Sequence, residues 1–108
     1  MISFDEYKRQ AMRTDGTSSW TERINNGALG LNGESGEVAD IVKKFMFHGH
    51  DIDDDKLKKE LGDCLWYIAQ ICESRGYSME EVASMNIAKL RKRYPDGFSS
   101  EASLNRVE

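Results

Sequence analysis

Two stretches of equal length, ESGEVADIVKKF at residues 34–45 and ELGDCLWYIAQI at residues 60–71, decide the fold of this 108-residue chain. They align without a gap, and in both the apolar residues recur at intervals of three and four, the period of an amphipathic helix. At about 100° per residue, each stretch places a Glu inside an apolar stripe and a second carboxylate one turn later at the edge of that stripe. The repeat therefore predicts two long helices that carry carboxylates on the faces they bury.

The paired acids are Glu34 with Glu37 and Glu60 with Asp63. A carboxylate that faces a protein core is costly unless it is paired or bound to a metal ion. Four carboxylates that converge from two helices would form a site for a hard cation, because oxygen ligands suit Mg²⁺ or Mn²⁺ better than zinc.

An alternative interpretation places these acids on the surface, with Lys56 paired to Glu60 and Lys59 paired to Asp63, four positions apart in each case. A Lys that precedes its acid is the weaker orientation of such a helical pair. Glu34 has no Lys or Arg three or four positions away. The pattern therefore favours the metal site over the surface pairs.

Other residues of the repeat are given structural roles. Asp40 points away from the apolar stripe and is expected to pair with Lys44 on the surface. Gly36 and Gly62 each cost about 1 kcal/mol relative to Ala in a helix interior. We interpret these two glycines as positions where another helix approaches closely, and we assign them no chemistry.

The rest of the chain is also predicted to be helical, because a single Pro in 108 residues leaves few helix breakers. Capping boxes begin at Ser3 and Ser78. The first helix is predicted at residues 4–12, and the second begins between residues 22 and 29 and ends near 47. The acidic stretch at residues 51–55 is typical of a loop and of the N-terminal end of a third helix, which ends near 75. The fourth helix is predicted at residues 79–93. We therefore predict an all-α fold, a compact helical bundle of about four helices, with a loosely ordered C-terminal tail at residues 99–108.

Composition and charge exclude several functions. The chain has 15 Lys and Arg against 19 Asp and Glu, a net charge of -4, so no stable nucleic-acid binding is expected. No apolar stretch approaches the ~20 residues of a membrane span, and the charged N-terminal segment does not resemble a signal peptide. We expect a cytoplasmic protein without a membrane partner, with Cys64 and Cys72 reduced.

The acidic pairs and a later helix together resemble the signature of the MazG-like all-α nucleoside triphosphate pyrophosphohydrolases. The likeness extends over residues 22–98 and is carried by LGLNGESGEVAD at 29–40, ELGDCLWY at 60–67 and NIAKLRKRYPDGF at 86–98. The resemblance implies a single helical domain over residues 1–98. It also implies a Mg²⁺ site, with Mn²⁺ as the alternative ion, whose ligands are Glu34, Glu37, Glu60 and Asp63.

The resemblance further implies an enzyme that cleaves the bond between the α- and β-phosphates of a (deoxy)nucleoside triphosphate, giving a monophosphate and pyrophosphate. We assign Glu37 as the general base that activates the attacking water. Tyr67 matches a position that contacts the base in related enzymes. Asn86 and Lys89 are candidates for phosphate contacts, although packing or an exposed helix face would also explain these three residues.

Two other functions stay open at this point. The related phosphoribosyl-ATP pyrophosphohydrolases share the acidic arrangement, and a non-enzymatic helical module could use the same acids as a partner surface. The two long helices each carry an apolar arc wide enough for a partner, and the chain has few other long helices to cover both arcs. We therefore expect a homodimer or a homotetramer that completes the bundle.

Overall fold

The computed structural model describes residues 1–106, and its fold is all-α as predicted. The helices are α1 at Phe4–Ala11, followed by a 3₁₀ turn at Met12–Thr14, α2 at Trp20–Phe47, α3 at Asp54–Arg75, α4 at Met79–Arg93 and α5 at Ser100–Leu104. Within residues 1–106, none of these helices combines the length and the apolar character needed to cross a membrane.

Local capping groups explain most of the helix ends. The Ser3 and Ser78 side chains each accept a hydrogen bond from the backbone N–H three residues later, and Asp53 does the same at the start of α3. Gly76 ends α3 in the left-handed conformation, with φ of 68°. These caps satisfy backbone groups that a helix end leaves unpaired. Both predicted ends of α1 and α4 and the predicted C-terminal end of α3 agree with the structure to within one residue, and α3 begins inside the acidic stretch at residues 51–55.

The predicted start of α2, between Glu22 and Leu29, was wrong. The helix begins at Trp20, and the side chain of Ser19 caps it by accepting a hydrogen bond from the N–H of Glu22. Glycines soon after this start lower the helix propensity of the segment. Contacts with α3 compensate for that weakness, and such contacts are not visible in a local pattern.

The α2 and α3 helices form the main contact of the fold and run antiparallel. A Cβ at Gly27 would lie 2.6 Å from Cγ1 of Ile71, and a Cβ at Gly30 would lie 2.2 Å from Cε1 of Tyr67. Moving one turn along α2 therefore moves the contact one turn back along α3. The absence of side chains at Gly27 and Gly30 lets the two helices approach this closely.

The sequence predicts that another helix approaches closely at Gly36 and Gly62. The structure does not support this prediction within one chain. No atom of residues 1–106 beyond the local helix would contact a Cβ at either position within 4 Å.

The predicted ion pair between Asp40 and Lys44 is confirmed, with 2.9 Å between the carboxylate oxygen and Nζ.

The α1 helix is held at the turn between α3 and α4. Asp5 accepts hydrogen bonds from Oγ of Ser78 at 2.6 Å and from the backbone N–H of Met79 at 2.7 Å. Lys8 donates to the backbone carbonyl of Tyr77 at 2.8 Å. The Ser78 hydrogen bond is the main cause that lowers the pKa of the Asp5 carboxyl. The N-terminal segment is thus part of the folded unit.

A second polar network joins the segment after α1 to both long helices. Asp15 forms an ion pair with Arg23 at 2.6 Å and accepts a hydrogen bond from Nε2 of Gln70 at 3.1 Å. Gln70 is fully buried, and its carbonyl oxygen accepts from Asn26 at 2.9 Å. Burial opposes ionisation of the Asp15 carboxyl, but Arg23, the backbone N–H and hydroxyl of Thr17, and Gln70 together lower its pKa to about 2.

The buried apolar core is small. It consists of Ala69 and Cys72 from α3 and Met79 from α4, with Tyr7 of α1 among the half-buried side chains packed against it. Cys64 and Cys72 are free thiols in the described part of the chain. The short helix α5 lies inside the predicted tail at residues 99–108, of which 107 and 108 fall outside the described residues.

Candidate functional site

Three of the four predicted carboxylates meet where α2 contacts α3. Glu34 of α2 and Glu60 and Asp63 of α3 each bring one carboxylate oxygen within 4.8 Å of the other two. Glu34 and Glu60 are half-buried, and Asp63 is exposed. The antiparallel register of the two helices explains this meeting. Gly30 of α2 contacts Tyr67 of α3. Glu34 lies one turn after Gly30 and Asp63 lies one turn before Tyr67, so these two acids also face each other. We call these three residues the acidic cluster.

No Lys or Arg among residues 1–106 forms an ion pair with the acidic cluster. The pairs of Glu60 with Lys56 and of Asp63 with Lys59, which the surface interpretation requires, are therefore not formed. The acidic cluster instead lies at the contact between α2 and α3.

The pKa of Glu34 reflects the closeness of the other carboxylates. Its pKa is raised to about 7, first by a hydrogen bond with Glu60, then by burial and by the neighbouring negative charges. Like charges close together oppose each other's ionisation. Burial, followed by the charges of the same acids, also raises the pKa of the nearby Cys64 thiol. Ionisation of all three carboxyl groups is therefore unfavourable in the absence of a bound cation.

One oxygen of the acidic cluster lacks any partner. Oε2 of Glu60 is buried and has no hydrogen bond within the described part of the chain. A buried carboxylate oxygen without a partner carries a desolvation cost that a bound cation would remove. With three carboxylates as donors, the cluster fits a hard cation such as Mg²⁺ or Mn²⁺, which prefers oxygen ligands.

Glu37, the fourth predicted ligand and the assigned general base, lies outside the cluster. It is exposed on α2, one turn beyond Glu34. Its charge contributes to the raised pKa of Glu34, so the two carboxylates are close enough to interact. A role for Glu37 in metal binding or in catalysis stays a prediction.

An open pocket of about 390 Å³ lies beside the acidic cluster, lined by Glu34, Asp63, Trp66 and Tyr67. The predicted base-contacting residue Tyr67 is therefore adjacent to the carboxylates. Its ring lies against the backbone of α2 at Gly30 and meets the Trp66 ring edge to face, with centroids 5.2 Å apart.

Sequence reasoning did not identify Trp66 as a site residue. The helical spacing carried a signal, since Trp66 follows Asp63 by three positions and so lies near the same side of α3. The pattern could not show that a segment preceding α2 would hold the indole in place. Nε1 of Trp66 donates to the carbonyl of Ala11 at 3.1 Å and to Oγ1 of Thr14 at 3.0 Å.

The structure does not place Asn86 and Lys89 at this pocket. Both are exposed on α4, and neither lines the cavity beside the acidic cluster. The α4 helix is anchored through its first turn, where Met79 enters the core and bonds to Asp5. Phosphate contacts by Asn86 and Lys89 stay a prediction.

The raised pKa of Glu34 predicts how the metal-free protein responds to pH. The folded state holds this proton more tightly than the unfolded chain, whose Glu has a pKa of about 4.5. The resulting stabilisation is complete below pH 4.5 and is lost as the pH rises to about 7. We therefore expect the free energy of unfolding, measured in urea with a chelator, to decrease across this interval relative to that of Glu34→Gln. Equal pH dependence of the two proteins would contradict the geometry of the cluster.

Comparisons with known proteins identify the chain's relatives. A family model described as the MazG nucleotide pyrophosphohydrolase domain matches residues 24–98. The Gene 37 protein of Mycobacterium phage L5 is 33% identical over 89 residues, which cover 79% of this chain and 78% of that protein. No solved structure matches the chain.

Proposed function

Because the chain belongs to the MazG nucleotide pyrophosphohydrolase family, we propose that it is an enzyme that hydrolyses (d)NTPs between the α- and β-phosphates in a Mg²⁺-dependent reaction. Water adds to the α-phosphorus, the bond to the bridging oxygen breaks, and the products are a nucleoside monophosphate and pyrophosphate. The observation that carries this proposal is the meeting of Glu34, Glu60 and Asp63 beside an open pocket with an aromatic wall.

The acidic cluster explains how a negatively charged protein would bind a triphosphate. Carboxylates repel phosphates, so the cluster can serve this substrate only through cations that both groups share. Glu34, Glu60 and Asp63 would hold the ion, and Glu37 would complete its ligands. Mg²⁺ bound there would neutralise phosphate charge and favour the departure of pyrophosphate.

The chain's own groups would position the reactants and move the proton. Glu37 is exposed to water one turn from the cluster, where a carboxylate could take the proton of the attacking water. Tyr67 would contact the base from the aromatic wall of the pocket. Asn86 and Lys89 would have to reach the phosphates from α4 of the same chain or of a partner. We place this activity in the cytoplasm.

Product analysis tests the proposed reaction. The purified protein with Mg²⁺ should release pyrophosphate and a monophosphate from at least one member of a panel of common and modified (d)NTPs. The panel should include phosphoribosyl-ATP, because turnover of that compound alone would identify the related reaction. Orthophosphate and a diphosphate as sole products, or no turnover of any compound, would contradict the proposal and favour a non-enzymatic module.

We also propose a homodimer or homotetramer. Phe45 and Met46 of α2 are exposed by 46% and 60%, and Leu61 of α3 is exposed by 51%, although all three lie on the helices that form the centre of the fold. Exposed apolar side chains on long helices are typical of faces that a second subunit covers. Sedimentation at tens of micromolar should detect no monomer, because interfaces of micromolar affinity are occupied there. A monomer at that concentration would exclude the proposed assembly.

A further inference from the structure

The pocket beside the acidic cluster has two chemically different ends. Glu34 and Asp63 supply oxygen atoms at one end, and the rings of Trp66 and Tyr67 form the other. Asp63 and Trp66 are one helical turn apart on α3, so the rise of an α-helix separates the two ends by about 5 Å. A ligand that fills the whole pocket must join a group that binds to a cation with a flat apolar group.

Trp66 is held rigidly at the aromatic end. Its Nε1 donates to the carbonyl of Ala11 at 3.1 Å and to Oγ1 of Thr14 at 3.0 Å. Its ring meets that of Tyr67 at an interplanar angle of 87°. With its only donor already used by the protein, the indole offers a ligand its ring surface and no hydrogen bond.

The Tyr67 ring packs against the backbone of α2. The backbone of Gly30 lies so close to the Tyr67 ring that even a Cβ at that position would overlap three of its carbons. The two rings therefore keep their relative positions, and ordering them costs little conformational entropy when a ligand binds.

We propose that Trp66 contacts the nucleobase of the substrate and that Thr14 is a positioning residue that fixes the indole. This inference rests on the proposed function, because it assumes that the phosphates bind at the acidic cluster. If Trp66 contacts the base, both the base and the triphosphate contribute to the affinity of the protein for its substrate. The proposal also gives the segment before α2, which lies outside the matched residues 24–98, a role in substrate binding.

Binding measurements test the role of Trp66 without requiring turnover. The ligands are the α,β-methylene analogues of the four deoxynucleoside triphosphates, and inorganic tripolyphosphate, which lacks a base, each in the presence of Mg²⁺. We expect Trp66→Leu to weaken the tightest-binding analogue by about 5- to 150-fold, the range typical for loss of stacking on one base. The same substitution should change the affinity for tripolyphosphate by less than about twofold, because phosphate binding does not use the ring.

Further variants separate base contact from a structural role. Trp66→Phe keeps an aromatic face and should bind the analogue more tightly than Trp66→Leu. Thr14→Val removes one of the two indole acceptors and should weaken the analogue selectively, by less than Trp66→Leu. Tyr77→Leu, which removes an exposed aromatic ring that does not line this pocket, serves as the matched control with unchanged affinities.

The outcomes distinguish this inference from the proposed function. Equal weakening of the analogue and of tripolyphosphate by Trp66→Leu, or no change in either, would overturn the role of Trp66 even if wild-type protein hydrolyses nucleotides. Selective loss of the analogue would support that role even if product analysis found no hydrolysis. If Trp66→Leu does not fold, the comparison of Trp66→Phe and Thr14→Val with wild type gives the same decision.

Discussion

Asp63→Asn is expected to abolish most of the thermal stabilisation by Mg²⁺ and to reduce nucleotide turnover by at least about 100-fold, a loss typical of removed electrostatic contacts to a transition state. The metal-free variant should be as stable as the wild type or more stable. The physical reason is that Asp63 adds negative charge beside Glu34, whose pKa is already raised by its neighbours. The proposed role of Asp63 in metal binding would therefore come at a cost in the stability of the metal-free protein.

Melting curves with and without Mg²⁺, at one protein concentration, measure the first effect, and pyrophosphate release measures the second. Asp40→Asn is the matched control, because Asp40 is a carboxylate of α2 that pairs with Lys44 on the surface. It should keep the Mg²⁺ response and the turnover of the wild type. An Asp63→Asn protein that behaved like Asp40→Asn would exclude the acidic cluster as the metal site.

Gly30→Val is expected to lower the free energy of unfolding by about 3 kcal/mol or more, at the upper end of the range for overpacked contacts. The new Cβ would lie 2.2 Å from Cε1 of Tyr67, and two further carbons of the same ring would lie within 2.5 Å. The ring would have to shift as a unit, and Trp66 packs against it. We therefore also expect weaker nucleotide binding, since both rings line the pocket.

Gly33→Val provides the comparison for Gly30→Val. It makes the same chemical change in the same helix, but no atom of residues 1–106 beyond the local helix would lie within 4 Å of its Cβ. Helix propensity changes equally at the two positions, so urea denaturation of both variants isolates the contact with Tyr67. Similar stability of the two variants would show that α2 and α3 are not packed as closely as described.

Local signals explain why most of the fold was predictable. Ser3, Asp53 and Ser78 cap their helices through hydrogen bonds that span three residues, a spacing visible in any single sequence. The meeting of Glu34 with Glu60 and Asp63 followed from helical periodicity, because Glu34 and Glu60 lie inside the apolar stripes of two helices that pack together and Asp63 lies at the edge of its stripe. These inferences used only the angle of each residue around its helix, which also predicted a place for Glu37 in a cluster that the structure forms from the other three acids.

The remaining features depend on contacts between distant parts of the chain. The start of α2 was missed because Gly27 and Gly30 weaken a helix by their local propensity, and their packing on α3 is a tertiary effect. Trp66 was missed because its acceptors, Ala11 and Thr14, are 55 and 52 residues away in sequence. Helical spacing places a side chain on a face but does not identify what will cover that face.

The contacts of α1 also constrain the order in which the fold can be completed during synthesis. Asp5 precedes its partners Ser78 and Met79 by 73 and 74 residues. At translation rates of about 5–20 residues per second, the ribosome adds that length of chain in roughly 4–15 seconds. During that interval all of α2 and α3 is synthesised, so both helices that carry the acidic cluster precede the partners of Asp5 in the order of synthesis. The hydrogen bonds that tie α1 to the turn between α3 and α4 therefore form only after the chain of both long helices exists.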